Sequence, residues 1–452
     1  MGSLLTTLLN STGALQAYDR VFSVIQNNIT NANTPGYAKQ DQVLISLPFQ
    51  PNGGAPGGVI AGQLLSARSP YLEQTVRQGQ SQFGTAQQKT TDLTQIQSLF
   101  SLTDSSGISD AMNKFFGSAS QLSVTPSDPV LRQQVITQAS NVAQQFNQAA
   151  TGIQQTSSNL DQATRDTVTK INTLVDQIAQ VNVQNQANGP KAHDAGLDAQ
   201  LYSSLEDLSG SANVSVIHAN DGTLNLYLGQ TPLVVGNSTF HISVSFSSSQ
   251  TTILDQGGND ITSQITGGSL AGQLQDKNTT LPGYVTSLNT LAQTFADQVN
   301  QTLAQGVDQN GQTPTVNLFT YNTASDAAFT LKVTNITPDQ IAAASAGVPG
   351  GGGNALALNQ LGNAPTIGGG TFTQAYGNIG AQVGFDLSAA QNDQSRYRDV
   401  VTQAQAQRKT LTGVDLNEEA ARLLQFQQAY SAVGKLVSVL DSLSQTVLDM
   451  IH

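Results

Sequence analysis

"NNITNANTPGYAKQ", residues Asn27–Gln40, decides how this chain is read. It separates an apolar-striped segment from the strand-like run "QDQVLIS". One glycine or one proline suffices to end a helix, yet here four asparagines, a Thr-Pro-Gly corner and a tyrosine stand together. Pro35 stops the helix and biases Thr34 away from the α region. Gly36 permits a turn. Side chains such as Asn31 and Asn33 can satisfy backbone groups left unpaired at a helix end, and Tyr37 offers a large contact surface. The stretch is expected to be a shaped corner.

Upstream of the corner, Leu4, Leu8, Ser11, Leu15, Tyr18, Phe22, Ile25 and Ile29 recur in alternating steps of three and four, the pattern of a coiled-coil seam. The far end of the chain repeats it with Leu423, Phe426, Tyr430, Val433, Val437, Leu440, Ser444, Val447 and Ile451. Asp415 is the expected N-cap of that helix, with Glu418 at capping-box spacing and Glu419 placed where the helix dipole favours negative charge. Neither helix can bury its stripe alone. Their other faces carry few charges, Asp19 and Arg20 in one, Lys435 and Asp441 in the other. Solitary coiled coils dress their flanks with Glu and Lys, so uncharged flanks point towards packing among neighbouring helices.

Between these ends, Ser69-Pro70 marks a helix start running to about Phe100. Pro129–Asn188 has no internal proline and one glycine, Gly152, and predicts a long rod. Its apolar register slips by four between Leu160 and Val168, a stutter. Further helices are expected over 194–209, 284–304 and 372–411. The period then changes: "TLNLYLG", "TFHISVSF" and "FTLKV" (Phe329–Val333) alternate as strands, and Asn220–Gly222 is a hairpin signal. "GVPGGGGN", Gly347–Asn354, suggests a flexible linker. The expected layout is mainly α with an inserted β module, nested and elongated. Residues 1–64 and 413–452 form the terminal coiled-coil helices. Residues 65–210, 268–313 and 349–412 form a helical rod domain, and residues 211–267 and 314–348 a β-rich outer domain.

The totals narrow the function. Among 452 residues there are 18 basic and 30 acidic ones, a net charge of −12. Phosphate binding needs clustered Lys and Arg that are missing, so nucleic acid and an anionic membrane are unexpected partners. No apolar run approaches a membrane span, and the N-terminus lacks the features of a cleavable signal. There are no cysteines, hence no thiol metal site. The four histidines share no metal-ligand spacing. "GVDQNG" (Gly306–Gly311) is half of a calcium loop without its closing glutamate, and a turn is expected. No catalytic, metal-binding or cofactor-binding residues are expected, and no enzyme.

The corner motif closely resembles the one that ends the N-terminal helix of bacterial flagellar axial proteins of rod, hook and hook–filament junction. "GVDLNEEAARLLQFQQAYSAVGKLVSVLDSL", Gly413–Leu443, is similar to the C-terminal signature of the hook-associated junction proteins. "GGSLAGQL", "LPGYVTSLNTLAQTFADQVNQTLAQGVDQNG" and "GNALALNQL" resemble internal stretches of the same family. The chain departs where the family continues Ala-Asn-Ala-Lys after Gln-Ala-Tyr; here Ser431-Ala432-Val433-Gly434-Lys435 follows, with Gly434 in the helix interior at a cost of about 0.5–1 kcal/mol against Ala. The resemblance implies an extracellular structural subunit, secreted by type III export without a cleaved signal and supported by a dedicated chaperone. It implies self-assembly into a ring or tube, with the hook protein and a second junction protein as neighbours. A hook or distal-rod protein, or a secreted helical adhesin, is the alternative.

Overall fold

The computed structural model describes residues 2–50, 55–100, 107–188, 194–219, 221–247 and 250–450. Its α-helices are α1 (Gly2–Thr30), α2 (Pro70–Gln97), α3 (Ile108–Val124), α4 (Pro129–Asn188), α5 (Ala195–Ser211) and α6 (Gly268–Gln275). They continue as α7 (Leu281–Ala304), α8 (Ala327–Thr330), α9 (Gly353–Leu361), α10 (Phe372–Thr412) and α11 (Leu416–Asp449). The chain forms two compact units: Met1–Gln82 with Lys170–His241 and Tyr397–His452, and Phe83–Thr169 with Ile242–Arg396.

In the first unit, β1 (Gln40–Ser46) pairs antiparallel with β4 (Val59–Ser66), a hairpin whose far end carries the short β2 (Phe49–Gln50) and β3 (Ala55–Pro56). A four-stranded sheet follows in the order β5 (Val214–His218), β6 (Leu224–Leu228), β7 (Thr231–Val235) and β8 (Ser238–Thr239). Asn182 of α4 docks this sheet: its amide donates to Leu224 O at 2.8 Å, and its Oδ1 accepts from Leu224 N–H at 2.9 Å. The turn between β5 and β6 includes Gly222; Asn220 lies outside the described residues.

The second unit is organised around Phe295 of α7. Its ring meets those of Phe115, Phe116, Phe146, Phe319 and Phe372 at centroid distances of 5.3–6.4 Å, mostly edge to face, the geometry that aromatic quadrupoles favour. Short strand pairs surround this core: β9 (Ser243–Phe246) with β10 (Thr251–Leu254), β11 (Gly306–Val307) with β14 (Ala344–Ser345), and β12 (Phe319–Thr320) with β13 (Lys332–Val333).

The rod helix spans Pro129–Asn188 as its composition predicts. At its register slip Thr164 bridges Leu160 to Val168, buried, with its hydroxyl donating to Leu160 O at 2.7 Å. Three local expectations need correction. The β residues make several small sheets divided between the two units, rather than one module. "TFHISVSF" keeps its alternating exposure but changes partner midway: Ser238–Thr239 pairs with β7, Ser243–Phe246 with β10. "FTLKV" begins inside α8, because Asp326 and Thr323 form a capping box that turns the chain helical, leaving only Lys332–Val333 extended.

The glycine-rich "linker" is also a packed corner. A Cβ on Gly352 would collide with the Ser123 carbonyl, and one on Gly362 would press into the Phe116 ring. Gly434 is the contrast, with open space where its Cβ would go. Gly352→Ala is therefore expected to destabilise the chain by about 1–3 kcal/mol through overpacking. Gly434→Ala is expected to stabilise α11 by roughly 0.5–1 kcal/mol. Equilibrium denaturation of both variants, with opposite signs expected, checks this.

Candidate functional site: the joint of the terminal helices

All of this site lies in the first unit. The last turn of α1 meets the first turn of α11, so the two helices pair antiparallel. Tyr18 packs on Phe426 and Phe22 on Tyr430, both at 5.8 Å between centroids. The two apolar stripes thus face each other. On α11 the seam residues Leu423, Phe426, Tyr430, Val433, Val437 and Val447 are half-buried and Leu440 is buried; Ile451 lies outside the described residues.

On α1 the seam is displaced. Leu4, Leu8, Leu15, Tyr18 and Phe22 are only half-buried, Ile25 is buried and Ile29 is exposed. The deepest positions are Ser11, Ala14, Ala17, Val21, Ile25 and Asn28. The reason is a second neighbour: α1 also packs on the β1–β4 hairpin, and the Asn10 amide donates to Gly57 O at 2.6 Å. Small side chains fit the angle between helix and hairpin, which turns the larger ones partly outward. Leu5, Leu9, Leu424, Leu436, Val439 and Leu443 remain exposed. An open cleft of about 390 Å³ is lined by Phe22, Ile25, Ile29 and Leu423.

The corner joins these helices through one fully buried amide. Asn28 Nδ2 donates to Gln40 O at 2.9 Å, and Gln40 N–H donates back to Asn28 Oδ1 at 3.0 Å. Tyr37 Oη donates to the same Oδ1 at 2.8 Å. Asn28 Nδ2 also reaches Glu419 Oε2 at 3.2 Å. Glu419 has no exposed surface, and its charge is met by Lys39 at 3.4 Å and Arg422 at 3.3 Å. Lys39 further pairs with Glu418 at 2.8 Å, and Arg422 with Asp41. The Lys39 backbone N–H donates to Thr412 O at 2.8 Å. Burial, with Glu419 adding to it, pushes the Tyr37 phenol up to about 12.

The named corner residues divide by role. Asn31 Nδ2 donates to Asn27 O at 3.0 Å, and Asn31 Oδ1 accepts from the Thr34 hydroxyl at 3.0 Å, so Asn31 finishes the helix as expected. Asn33, Thr34 and Pro35 are exposed. Gly36 takes a positive φ of 74° and sits so close to α5 that a Cβ would strike the Ala199 carbonyl. Its own carbonyl accepts from Arg68 Nη2 at 2.7 Å. Arg68 stacks 3.7 Å over the Tyr202 ring and pairs with Glu73 at 2.7 Å. Arg408 in turn bridges Glu73 at 3.1 Å and Glu206 at 2.8 Å.

Sequence reasoning missed Asn28, Gln40, Lys39 and Arg68, and assigned Glu418 and Glu419 only to the helix start. Asp415 does cap α11, accepting from Asn417 N–H at 2.8 Å. The Glu418 side chain, however, turns to Lys39. Among the described residues no cluster of three or more metal-ligating side chains occurs, and no helix is long and apolar enough to cross a membrane. His218 is held below its usual pKa by burial and then by Arg77, and it meets the Tyr202 hydroxyl at 3.2 Å.

Glu419→Ala takes one of two carboxylates from each of Lys39 and Arg422, which keep Glu418 and Asp41, and removes the link from the Asn28 amide to α11. It is expected to cost about 1–3 kcal/mol in denaturant unfolding. Asn28→Ala strands the Gln40 backbone pair, at about 1–3 kcal/mol for each buried group. The Tyr37 phenol, neutral in the folded chain, contributes stability that persists below its ordinary pKa and is lost as pH rises towards about 12. Ultraviolet titration of Glu419→Gln is expected to show one phenol ionising earlier than in the parent chain.

Comparison with known proteins agrees with this architecture. The model of the flagellar hook-associated protein FlgK helical domain matches residues 93–319, and that of the flagellar basal body rod FlgEFG protein C-terminal matches residues 411–450. The chain is 24% identical to flagellar hook-associated protein 1 of Bacillus subtilis, covering 96% of each. It is 24% identical to the protein of that name from Salmonella typhimurium, covering 100% of each. The structure of the flagellar hook junction protein FlgK from Burkholderia pseudomallei has a similar fold, with a TM-score of 0.67 at 18% identity, over 74% of this chain and 99% of that one.

Proposed function

The chain belongs to the FlgK family of flagellar hook-associated proteins, and from that premise we propose that it polymerises through its terminal helices to connect hook and filament. It is a structural protein of the hook–filament junction, a family of structural flagellar proteins rather than of enzymes. The observation that carries the mechanism is the state of the terminal pair. Its seam residues are half-buried, while Leu5, Leu9, Leu424, Leu436, Val439 and Leu443 stand in solvent. Fully burying one such side chain is worth about 1.5–3 kcal/mol. A ring or tube of copies, each laying its terminal pair against the next, supplies that burial.

In this reading the hook protein and the second junction protein meet the two ends of the ring, and the subunit reaches its place by type III export with a chaperone. The terminal helices order fully only on assembly, since isolated helices of this kind are marginal. The Asn28–Glu419 joint fixes the angle at which the pair leaves the corner, and so sets the direction in which neighbours are met.

Phe22→Asp and Leu440→Asp are expected to abolish incorporation while the second unit stays folded. Normal incorporation of both would sink the reading. Electron microscopy of cells lacking the gene, together with an assay of flagellin in the medium, tests the placement. Complete hooks without filaments are expected; missing or misshapen hooks would move the protein to hook or rod, and normal flagella would remove it from the structure.

A further inference from the structure

Helices α2 and α6 lie side by side in the second unit with their turns in step. The Thr85 hydroxyl donates to Gly268 O at 2.9 Å. One turn on, the Cβ position of Gly272 is only 3.0 Å from Gln88 Cβ, and Gln273 Nε2 donates to Gln88 Oε1 at 3.3 Å. By the same register the next turn places Asp92 beside Asp276, close enough for the charge of Asp92 to act on Asp276. Asp276 opens a single π-helical turn, Asp276–Thr280, a distortion that occurs mostly at functional places in helices.

Both carboxyls are buried, Asp92 at 6% and Asp276 at 1% exposure. The oxygens of Asp92 accept from Gln88 Nε2 at 2.9 and 3.0 Å. Neither oxygen of Asp276 accepts a hydrogen bond from another side chain or the backbone. The charged groups around the pair do not neutralise it. Lys277, the next residue, is engaged by Asp161 of α4 at 2.8 Å. Lys89 of α2 acts on Asp276 through its charge, and the nearby Thr280 hydroxyl donates to Gln275 O at 3.5 Å. From α7 the Tyr284 hydroxyl faces the site but donates to Asp386 of α10 at 2.6 Å. Two carboxylates buried side by side without a cation cannot both ionise cheaply.

We propose that Asp92 and Asp276 share one proton, and that this proton is a pH-sensitive clasp holding α2 to the π turn. With the proton present, one carboxyl donates to the other and Gln88 steadies the charge that remains. With the proton lost, two like charges face each other in a dry place, and the clasp opens at the π turn, the weakest point of the helix. Burial first, and then mutual repulsion, hold Asp276 above the usual carboxylate range; Asp92 is raised by burial. A carboxyl whose folded pKa is raised contributes stability in acid. That stability is whole below the unfolded value of about 4 and drains away as pH rises through neutrality.

The test is thermal unfolding of the full chain at about pH 5 and about pH 8.5, for the parent and for Asp276→Asn, whose amide replaces the shared proton with a permanent donor. The parent is expected to lose several degrees of melting temperature across this range. Asp276→Asn is expected to lose much less and to melt above the parent at the alkaline end. Parallel curves for the two would overturn the clasp. So would stabilisation of the parent, but not the variant, by added magnesium or calcium chloride at the alkaline end, since a cation would then fill the proton's place. If Asp276→Asn fails to fold, carbon-13 titration of labelled aspartate carboxyls in the parent decides. A carboxyl still titrating near neutrality is expected; none titrating above about pH 5 would overturn the proposal.

Discussion

A carboxylate without exposed surface sits where the first and last helices meet. The corner between the terminal helices is arranged around it. Glu419 is tolerable there only because Lys39 and Arg422 reach it and the Asn28 amide bonds it. Those three partners come from the corner and from both terminal helices. The same Asn28 side chain mimics a backbone strand, pairing with both polar groups of Gln40. Hence the helix end, the strand start and the C-terminal helix are positioned by one side chain. Removing Lys39 or Arg422 takes away one of the two cations that make a fully buried carboxylate tolerable, and costs more than a surface pair would.

Away from this point, along the two terminal helices, many hydroxyls take the place that charges would have on a free coiled coil. Along α1 and α11 the hydroxyls of Ser11, Thr12, Ser23, Thr30, Ser442, Ser444 and Thr446 fold back onto the carbonyl one turn behind. Serine and threonine at interior helix positions use this bond to satisfy themselves. A helix dressed this way presents neither a charge to be desolvated nor a donor in search of water, and a neighbour can approach closely at little cost. Charged flanks would have given solubility and pairing rules to a free dimer. Hydroxyl flanks suit a crowded tube.

What the residues disclosed in advance follows their range of action. Periodicity is local, so the rod Pro129–Asn188 and the existence of both terminal helices were legible, as was the cap at Asp415. The second neighbour of α1 was not, because nothing in Ala14, Ala17 or Val21 announces a hairpin arriving from Gln40–Ser66. Alternation over five residues proved ambiguous at "FTLKV", where a capping box three residues upstream prevailed. The glycines of Gly347–Asn354 suggested looseness, yet Gly352 is required by close contact with the Ser123 carbonyl. Asn28 with Glu419, and Asp92 with Asp276, are invisible in sequence because each pair is joined only by the tertiary fold.

The joint has a kinetic side. Asn28 and Glu419 are separated by 391 positions, nearly the whole chain, so their bond closes one of the longest loops the molecule can make. Contacts of such sequence separation form late, since loop entropy is spent before they return anything. This loop cannot close until the last helix is in place. The second unit, assembled from nearer segments, is free to fold before that. The first unit is then the late half of the molecule, and it presents its apolar flanks as a matched pair only once both ends of the chain have met.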